Sequence, residues 1–479
     1  MKTTHYTTQA KTAIKDPVLR TALSKLQDRF GRGAARGYKA FPEGPELRLK
    51  AHDIRMKAIE NLDVLLTSLA DNIRAKGGQV HFAADAKDAV DRCIDIAATH
   101  KVSMAVKGKS MLTEEIGLNT ALESAGIEAV ETDLGEYIVQ LAGETPSHII
   151  APAIHKTRQE IGRLFSDKLD IPYTDDPPAL TLAARKALRK KFVQADMGIS
   201  GCNLACAETG HITTVSNEGN IRMATTLPKV HVAFMGMERV VAELKDHETL
   251  FRLLPMGAAA QDMAGYVSYL GSSGNGGRMA GPQEFHLIIV DNGRSRILAD
   301  PDFREMLCCI RCGACLNMCP VYGEIGGHAY DSAYSGPVGA VVTPLLKGIN
   351  ECADLCQGES LCGACKEICP VNIDIPRMLL LLRQKLAEGD KAWNVKVRSR
   401  MDQTAFAVWS MLIQNPRLYD LFLKSAAVVQ RIFPGRESMI SKLPFAGAGW
   451  TTSRDLKRVA NQRFIQRFKS HQPHNRNSA

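Results

Sequence analysis

From about residue 78 to 292, short apolar runs alternate with stretches of helical period: Val80–Phe82, Ser103–Val106, Ile127–Val130, His148–Ala151, His211–Val215, Val230–Phe234 and His286–Asp291. Strand-length runs separated by helices predict a mostly parallel α/β sheet, whose ligands gather on the loops at the strand carboxyl ends. Ahead of it, residues 1 to 75 read as charged helices with breaks at Gly31–Gly37 and Pro42–Pro45. Behind it, Ile373–Glu388 has helical spacing with Pro376 at its start, and the stretch from about 391 to 470 reads as amphipathic helices, among them Ala405–Leu412 and Leu418–Phe433. The pattern divides the chain into a helical N-terminal region (1–75), an α/β domain (76–295), a helical domain (296–390) and a helical C-terminal region (391–479).

Composition adds bounds. At 479 residues the chain has room for about three domain-sized units. With 45% hydrophobic and 23% charged residues it is globular rather than disordered or fibrous. No apolar run approaches the roughly 18 residues that span a bilayer; the best, Ala405–Ile413, stops at Gln414. The first residues are polar, so the expected location is cytoplasmic, with contact at the inner membrane face left open. The net charge of +9 sits at the ends: residues 1–60 carry +7 and 454–479 carry +6, leaving a slightly acidic middle. Basic ends suit anionic lipid, or are plain solvated helix faces. With 6% aromatics and no interleaving of aromatic and basic residues, no nucleic-acid partner is expected.

The cysteines carry the chemistry. Ten of the thirteen fall between residues 308 and 369, too tightly for separate disulfide bridges. Cys309, Cys312, Cys315 and Cys319, followed by Pro320, have the C-x2-C-x2-C-x3-C-P spacing of bacterial ferredoxins, in which the fourth cysteine ligates the other cluster. Cys362, Cys365 and Cys369, followed by Pro370, repeat the last three-quarters of it. The crossed pattern assigns Cys309, Cys312, Cys315 and Cys369 to one 4Fe–4S cluster, and Cys319, Cys362 and Cys365 to a second. The eighth ligand is left open between Cys356, Cys352, Glu359 and none, Glu359 standing where the pattern calls for cysteine. Zinc held by four thiolates is the alternative, but the two C-x3-C-P endings and the triple run speak for iron–sulfur. Two cysteine runs joined by a long helical connection fit an all-helical ferredoxin domain. Cys308 is expected in the core, and Cys202 and Cys206 are read as buried small residues.

Nucleotide signals are weak. Lys107–Ser110 follows a strand like the end of a phosphate-binding loop, but Ser103 stands where its first glycine belongs. The glycine-rich Gly274–Gly277 lacks the dinucleotide fingerprint. The polar loops from Gly198 to Lys229 are more suggestive: Glu208, Asn217, Arg222 and Lys229 are candidates for binding an organic acid, with Arg222 or Lys229 as carboxylate partner. The alternative is that Glu208 and Asn217 merely cap helices and close turns.

Several segments in one order, Lys109–Gly117, Glu131–Tyr137, Ala207–Gly210, Leu227–Lys229, Gly281–His286 and Cys309–Pro320, make the chain resemble the lactate utilisation protein B family from about residue 10 to 390 or beyond. The resemblance implies an N-terminal lactate-utilisation α/β domain related to CoA-transferase and sugar-phosphate-isomerase sheets, and a helical two-cluster ferredoxin domain. It implies an electron-carrying subunit that acts with partner proteins A and C in oxidising L-lactate to pyruvate, passing electrons toward a membrane quinone or flavin acceptor. The family's ligand positions fall on Cys309, Cys312, Cys315, Cys319, Cys362, Cys365 and Cys369; position 359 varies between cysteine and serine. Two rival readings stand beside this one. In the first the α/β domain itself binds or oxidises a 2-hydroxy acid, with the clusters as internal relay. In the second the chain is a redox-sensing regulator.

Overall fold

The computed structural model describes residues 4–272, 281–397, 400–435, 438–444, 447–452, 454–460, 462 and 464–471. Gly274–Gly277 lies outside the described residues, as does most of the basic tail beyond residue 471. The chain forms two compact units, residues 1–396 and 397–479.

The first unit is built on a six-stranded parallel sheet. Its strands are β1 (Gln79–Ala83), β2 (Met104–Lys107), β3 (Glu128–Glu131), β4 (Met197–Gly201), β7 (Val230–Gly236) and β10 (Glu284–Val290), in the order β1-β10-β7-β4-β2-β3. The central strands are mostly buried because helices cover both faces: every residue of β7 is buried, and Val232 stands in register between Ile199 and His286. A smaller sheet of β5 (Leu204–Cys206), β6 (His211–Ser216), β8 (Val240–Val241) and β9 (Tyr266–Leu270) pairs in the order β8-β5-β6-β9.

Three expectations need correcting. His148–Ala151 forms turns, because the His148 ring accepts the backbone N–H of Ile150 and Ala151, at 2.9 and 3.0 Å, in place of a strand partner. His211–Val215 belongs to the smaller, partly antiparallel sheet. The glycines from 31 to 37 do not break the helical region: a single wide turn, Gln27–Arg32, joins helix Pro17–Leu26 to helix Gly33–Ala40. Gly31 serves close packing instead, since a Cβ there would lie 2.3 Å from the carbonyl oxygen of Asn317. The strand β4 escapes the apolar pattern for the same reason. It is Met-Gly-Ile-Ser-Gly, and a Cβ on Gly198 would lie 1.7 Å from the Ala224 oxygen, so the helix Asn220–Thr226 packs directly on backbone.

After the sheet the chain continues as short helices, Ala314–Met318, Gly336–Lys347, Ala353–Gly358 and Ala364–Ile368, then the longer Ile375–Glu388, whose Asp374 side chain caps its first turn. The second unit has helices Arg400–Gln414 and Pro416–Val429, with Trp409 packed edge-on to Tyr419 and Phe422. Among the described residues, no helix is long and apolar enough to cross a membrane.

Candidate iron–sulfur centre and adjoining cavity

Both cysteine runs fold alike. Arg311 and Leu361 each adopt φ of 58°, followed by Gly313 and Gly363 at 79° and 85°. The two left-handed residues turn each loop back on itself and lead into the five-residue helices Ala314–Met318 and Ala364–Ile368, which pack against each other. This brings Cys315 within electrostatic reach of Cys309, Cys312, Cys365 and Cys369. None of the thirteen cysteines is in a disulfide.

The first site is the Cys309, Cys312, Cys315 and Cys369 set. Burial first, then neighbouring sulfurs, pushes the Cys312 and Cys315 thiols well above their ordinary value, and burial pushes Cys369 up to about 11. Four sulfurs gathered at one place, three of them buried, are a donor set suited to a soft metal centre, which holds them as thiolates. Backbone N–H groups of Arg311 and Ile373 donate to the sulfurs of Cys309 and Cys369, both at 3.4 Å, which favours negative charge on each sulfur. The N-terminal helices brace the site. Arg48 Nε donates to Cys369 O at 2.9 Å, and His52 Nδ1 lies 2.9 Å from Val371 O. Arg55, fully buried, donates to the carbonyls of Leu307, Cys308 and Val240 at 3.1, 3.3 and 2.9 Å, and to that of Glu238.

The second set is Cys319, Cys362 and Cys365, around a small cavity also lined by Glu359. Cys362 is exposed and the other two are buried. Glu359 Oε2 accepts from the Cys319 thiol at 3.3 Å and Oε1 accepts from the Tyr330 hydroxyl at 2.8 Å, so the carboxylate stands beside Cys319. Burial raises its pKa. Cys356 is buried on helix Ala353–Gly358, its Sγ 3.8 Å from the Cys352 carbonyl, and neither residue lines this cavity. Gly358 lets the loop pass beneath the Tyr6 hydroxyl, which a Cβ there would approach to 2.3 Å. Arg383 then pins it, donating to Cys356 O and Glu359 O at 2.8 and 2.7 Å. Cys308 is buried in the core with Sγ 3.2 Å from Met56 Sδ.

Beside the first site lies a cavity of about 310 Å³, lined by Cys312 and by loops from the strand carboxyl ends. The four substrate candidates do not converge on it. Asn217 is in its wall, where its amide donates to Gln261 at 2.8 Å. Glu208 accepts the Leu244 N–H at a helix start, Arg222 donates to Ser268 Oγ over the Tyr266 ring, and Lys229 contributes its backbone carbonyl to Gln283 and Glu284. Sequence reasoning missed Arg239, Arg294 and Arg311, which line the cavity. Arg311, between two cluster cysteines, was the only one a motif could have flagged. Lys107, from the phosphate-loop near miss, is buried against Glu131 at 2.7 Å, while Lys109 pairs with Glu136 in the cavity wall. Cys206 is buried, and Cys202 lines the cavity, its thiol pushed up to about 12 by burial.

The comparisons agree along the whole chain. Residues 66–290 match the LUD domain, 305–373 the 4Fe-4S dicluster domain, and 391–473 the lactate utilisation protein B C-terminal family. The chain is 40% identical to an uncharacterized electron transport protein, YkgF, of Escherichia coli K12, over 98% of this chain and 97% of that one. It is 41% identical to lactate utilization protein B of Bacillus subtilis and of Bacillus licheniformis, each over 95% of this chain and 94% of the relative. A DUF162 family protein from Deinococcus radiodurans covers 48% of this chain at 14% identity, with a TM-score of 0.28. By its family matches, by its 41% identity to the two Bacillus proteins and by its cysteine loops, the chain is an iron–sulfur protein belonging to the lactate utilisation protein B family.

Proposed function

We propose that this protein is the iron–sulfur electron-transfer subunit in the oxidation of L-lactate to pyruvate, acting with lactate utilisation proteins A and C and delivering electrons toward a membrane quinone or flavin acceptor. Cys309, Cys312, Cys315 and Cys369 would hold one 4Fe–4S cluster. Cys319, Cys362 and Cys365 would hold the second, with the Glu359 carboxylate, rather than Cys356, in the eighth position. When bound, such clusters supply reversible one-electron transfer.

The observation that carries the reading is the adjacency of the two cysteine sets, joined through the packed helices Ala314–Met318 and Ala364–Ile368, with Cys315 in reach of Cys365. Lactate oxidation releases two electrons, and two neighbouring one-electron centres suit their separation. The protein's own part is to exclude water from the first site, to aim N–H groups at its sulfurs, and to fix the spacing between the sites.

The test is iron and acid-labile sulfide content on anaerobically purified protein, with electron paramagnetic resonance before and after dithionite. About eight iron atoms per chain and two interacting reduced signals are expected. Lactate-dependent dye reduction should then require the partner proteins. Zinc without iron, or lactate oxidation by the purified chain alone, would overturn the reading.

A further inference from the structure

We infer that the 310 Å³ cavity beside the first cysteine site binds a small monocarboxylate of the 2-hydroxy or 2-oxo acid class, its carboxylate held between Arg239 and Arg311. The choice among monocarboxylates rests on the function proposed above; the anion site rests on geometry alone.

The place is the one the topology favours. From β2 the chain moves outward to β3, and from β4 it moves the other way to β7 and β10, so the switch point of the sheet lies between β2 and β4. The loops that diverge there, Lys109–Ser110 and Gly201–Asn203, both line the cavity. A crevice at such a point is where parallel α/β sheets take their ligands.

The charge is unbalanced in the sense that calls for an anion. Arg294 is satisfied: it forms a fork to Glu115 at 2.9 and 2.8 Å and donates through Nε to Glu238 at 2.8 Å. Among the described residues the same Glu238 is the carboxylate paired with the other two guanidinium groups, 3.6 Å from Arg239 and 3.9 Å from Arg311, and Cys309 is a further anionic neighbour of both. Three arginines thus share two carboxylates. Arg239 is 8% exposed and the Arg311 side chain 9%, yet among the described residues Nη1 of each has no hydrogen-bond acceptor. A buried, unpaired guanidinium donor is costly, and a carboxylate accepting from both would remove that cost.

Arg311 is also held in place: its backbone at φ 58° is the loop turn that Leu361 repeats in the second cysteine run, and its guanidinium stacks 4.3 Å over the Tyr334 ring. Its neighbour Cys312 forms part of the same wall, which places a bound acid next to a cluster ligand. Asp133 and Glu218 also line the cavity and repel an anion, so a monoanion enters with its carboxylate toward the arginines.

The experiment uses full-length, cluster-loaded protein and calorimetric titration with L-lactate, pyruvate, uncharged lactamide and inorganic phosphate. One of the two acids is expected to bind, with lactamide at least about 30-fold weaker and Arg239→Met weakening the acid by a similar factor at unchanged iron content. Should Arg239→Met fail to fold, the wild-type protein still decides, because the bound acid is expected to change the line shape of the reduced cluster signal where lactamide does not. Failure of both acids to bind, lactamide binding as well as lactate, or phosphate binding more tightly than either acid would overturn the site. Binding that persists in protein lacking reducible clusters would support the site and remove the electron-carrier reading, so the two stand or fall separately.

Discussion

The two cysteine sites begin from the same five-residue loop and end in different surroundings. At the first, Arg48 of helix Gly44–Glu60 holds the Cys369 carbonyl, and three of the four sulfurs, those of Cys312, Cys315 and Cys369, are buried. At the second, Cys362 is exposed and a carboxylate stands among three sulfurs. The local loop therefore dictates how cysteines are presented, while the rest of the fold dictates how dry the site is and which atom completes it. A dry, all-sulfur site suits a stable centre, and a partly wet site with an oxygen donor suits a labile one.

The largest effect should come from Cys315→Ser, which removes the sulfur at the middle of the first set; iron per chain is expected to fall by at least half, read by colorimetric iron assay. Next is Arg55→Met. This buried cation holds four carbonyls around the entry to the first site, and its loss should destabilise the protein by roughly 3–5 kcal/mol, read from denaturant midpoints. Arg383→Met, the corresponding clamp on the half-exposed loop of the second site, should cost only about 1 kcal/mol. Equal losses would mean that the two sites are braced alike.

Glu359 allows the contrast to be reversed. Glu359→Cys should give the second site four sulfurs and slow its loss of iron in air. Glu359→Ala should leave a three-iron signal in the oxidised spectrum at unchanged spectra from the first site. Identical behaviour of Ala, Cys and wild-type proteins would show that position 359 does not reach the metal.

A separate effect lies away from the sulfurs and supplies a baseline. His231, buried in β7 with Nε2 2.8 Å from Ser200 Oγ, is held neutral by burial, with the nearby His286 adding to it, and its pKa falls from 6.5 to about 3. Only the unfolded chain takes up this proton between those values, so stability is lost as pH falls below about 6.5. Lowering the pH from 7 to 5 should cost about 2 kcal/mol through this group, and His231→Gln should flatten that slope in urea titrations.

Legibility followed the range of the interactions. The cysteine spacing was readable because a cluster-binding loop is local: two residues between successive sulfurs fix its geometry whatever surrounds it. Six of the seven apolar runs became strands, since a strand buried on both faces needs continuous hydrophobicity. The seventh, His148–Ala151, failed because a single histidine ring took the backbone donors that a sheet would have used. The strand β4 was missed because its glycines answer to a helix that lies on them, a constraint written elsewhere in the chain. The organic-acid candidates scattered for a similar reason: Glu208 and Arg222 are close in sequence but serve a helix start and a tyrosine ring.

The sequence by itself determined the iron–sulfur chemistry, the α/β then helical order of the chain and the family to which it belongs, because each rests on residues within a few positions of one another. Only the tertiary structure decided that Glu359 and not Cys356 stands with Cys319, that Arg55 from the N-terminal helices braces the first site, and that Arg239, Arg294 and Arg311 meet beside Cys312. Those groups come from segments tens to hundreds of residues apart, and no local period records a charge whose partner is supplied by a distant loop.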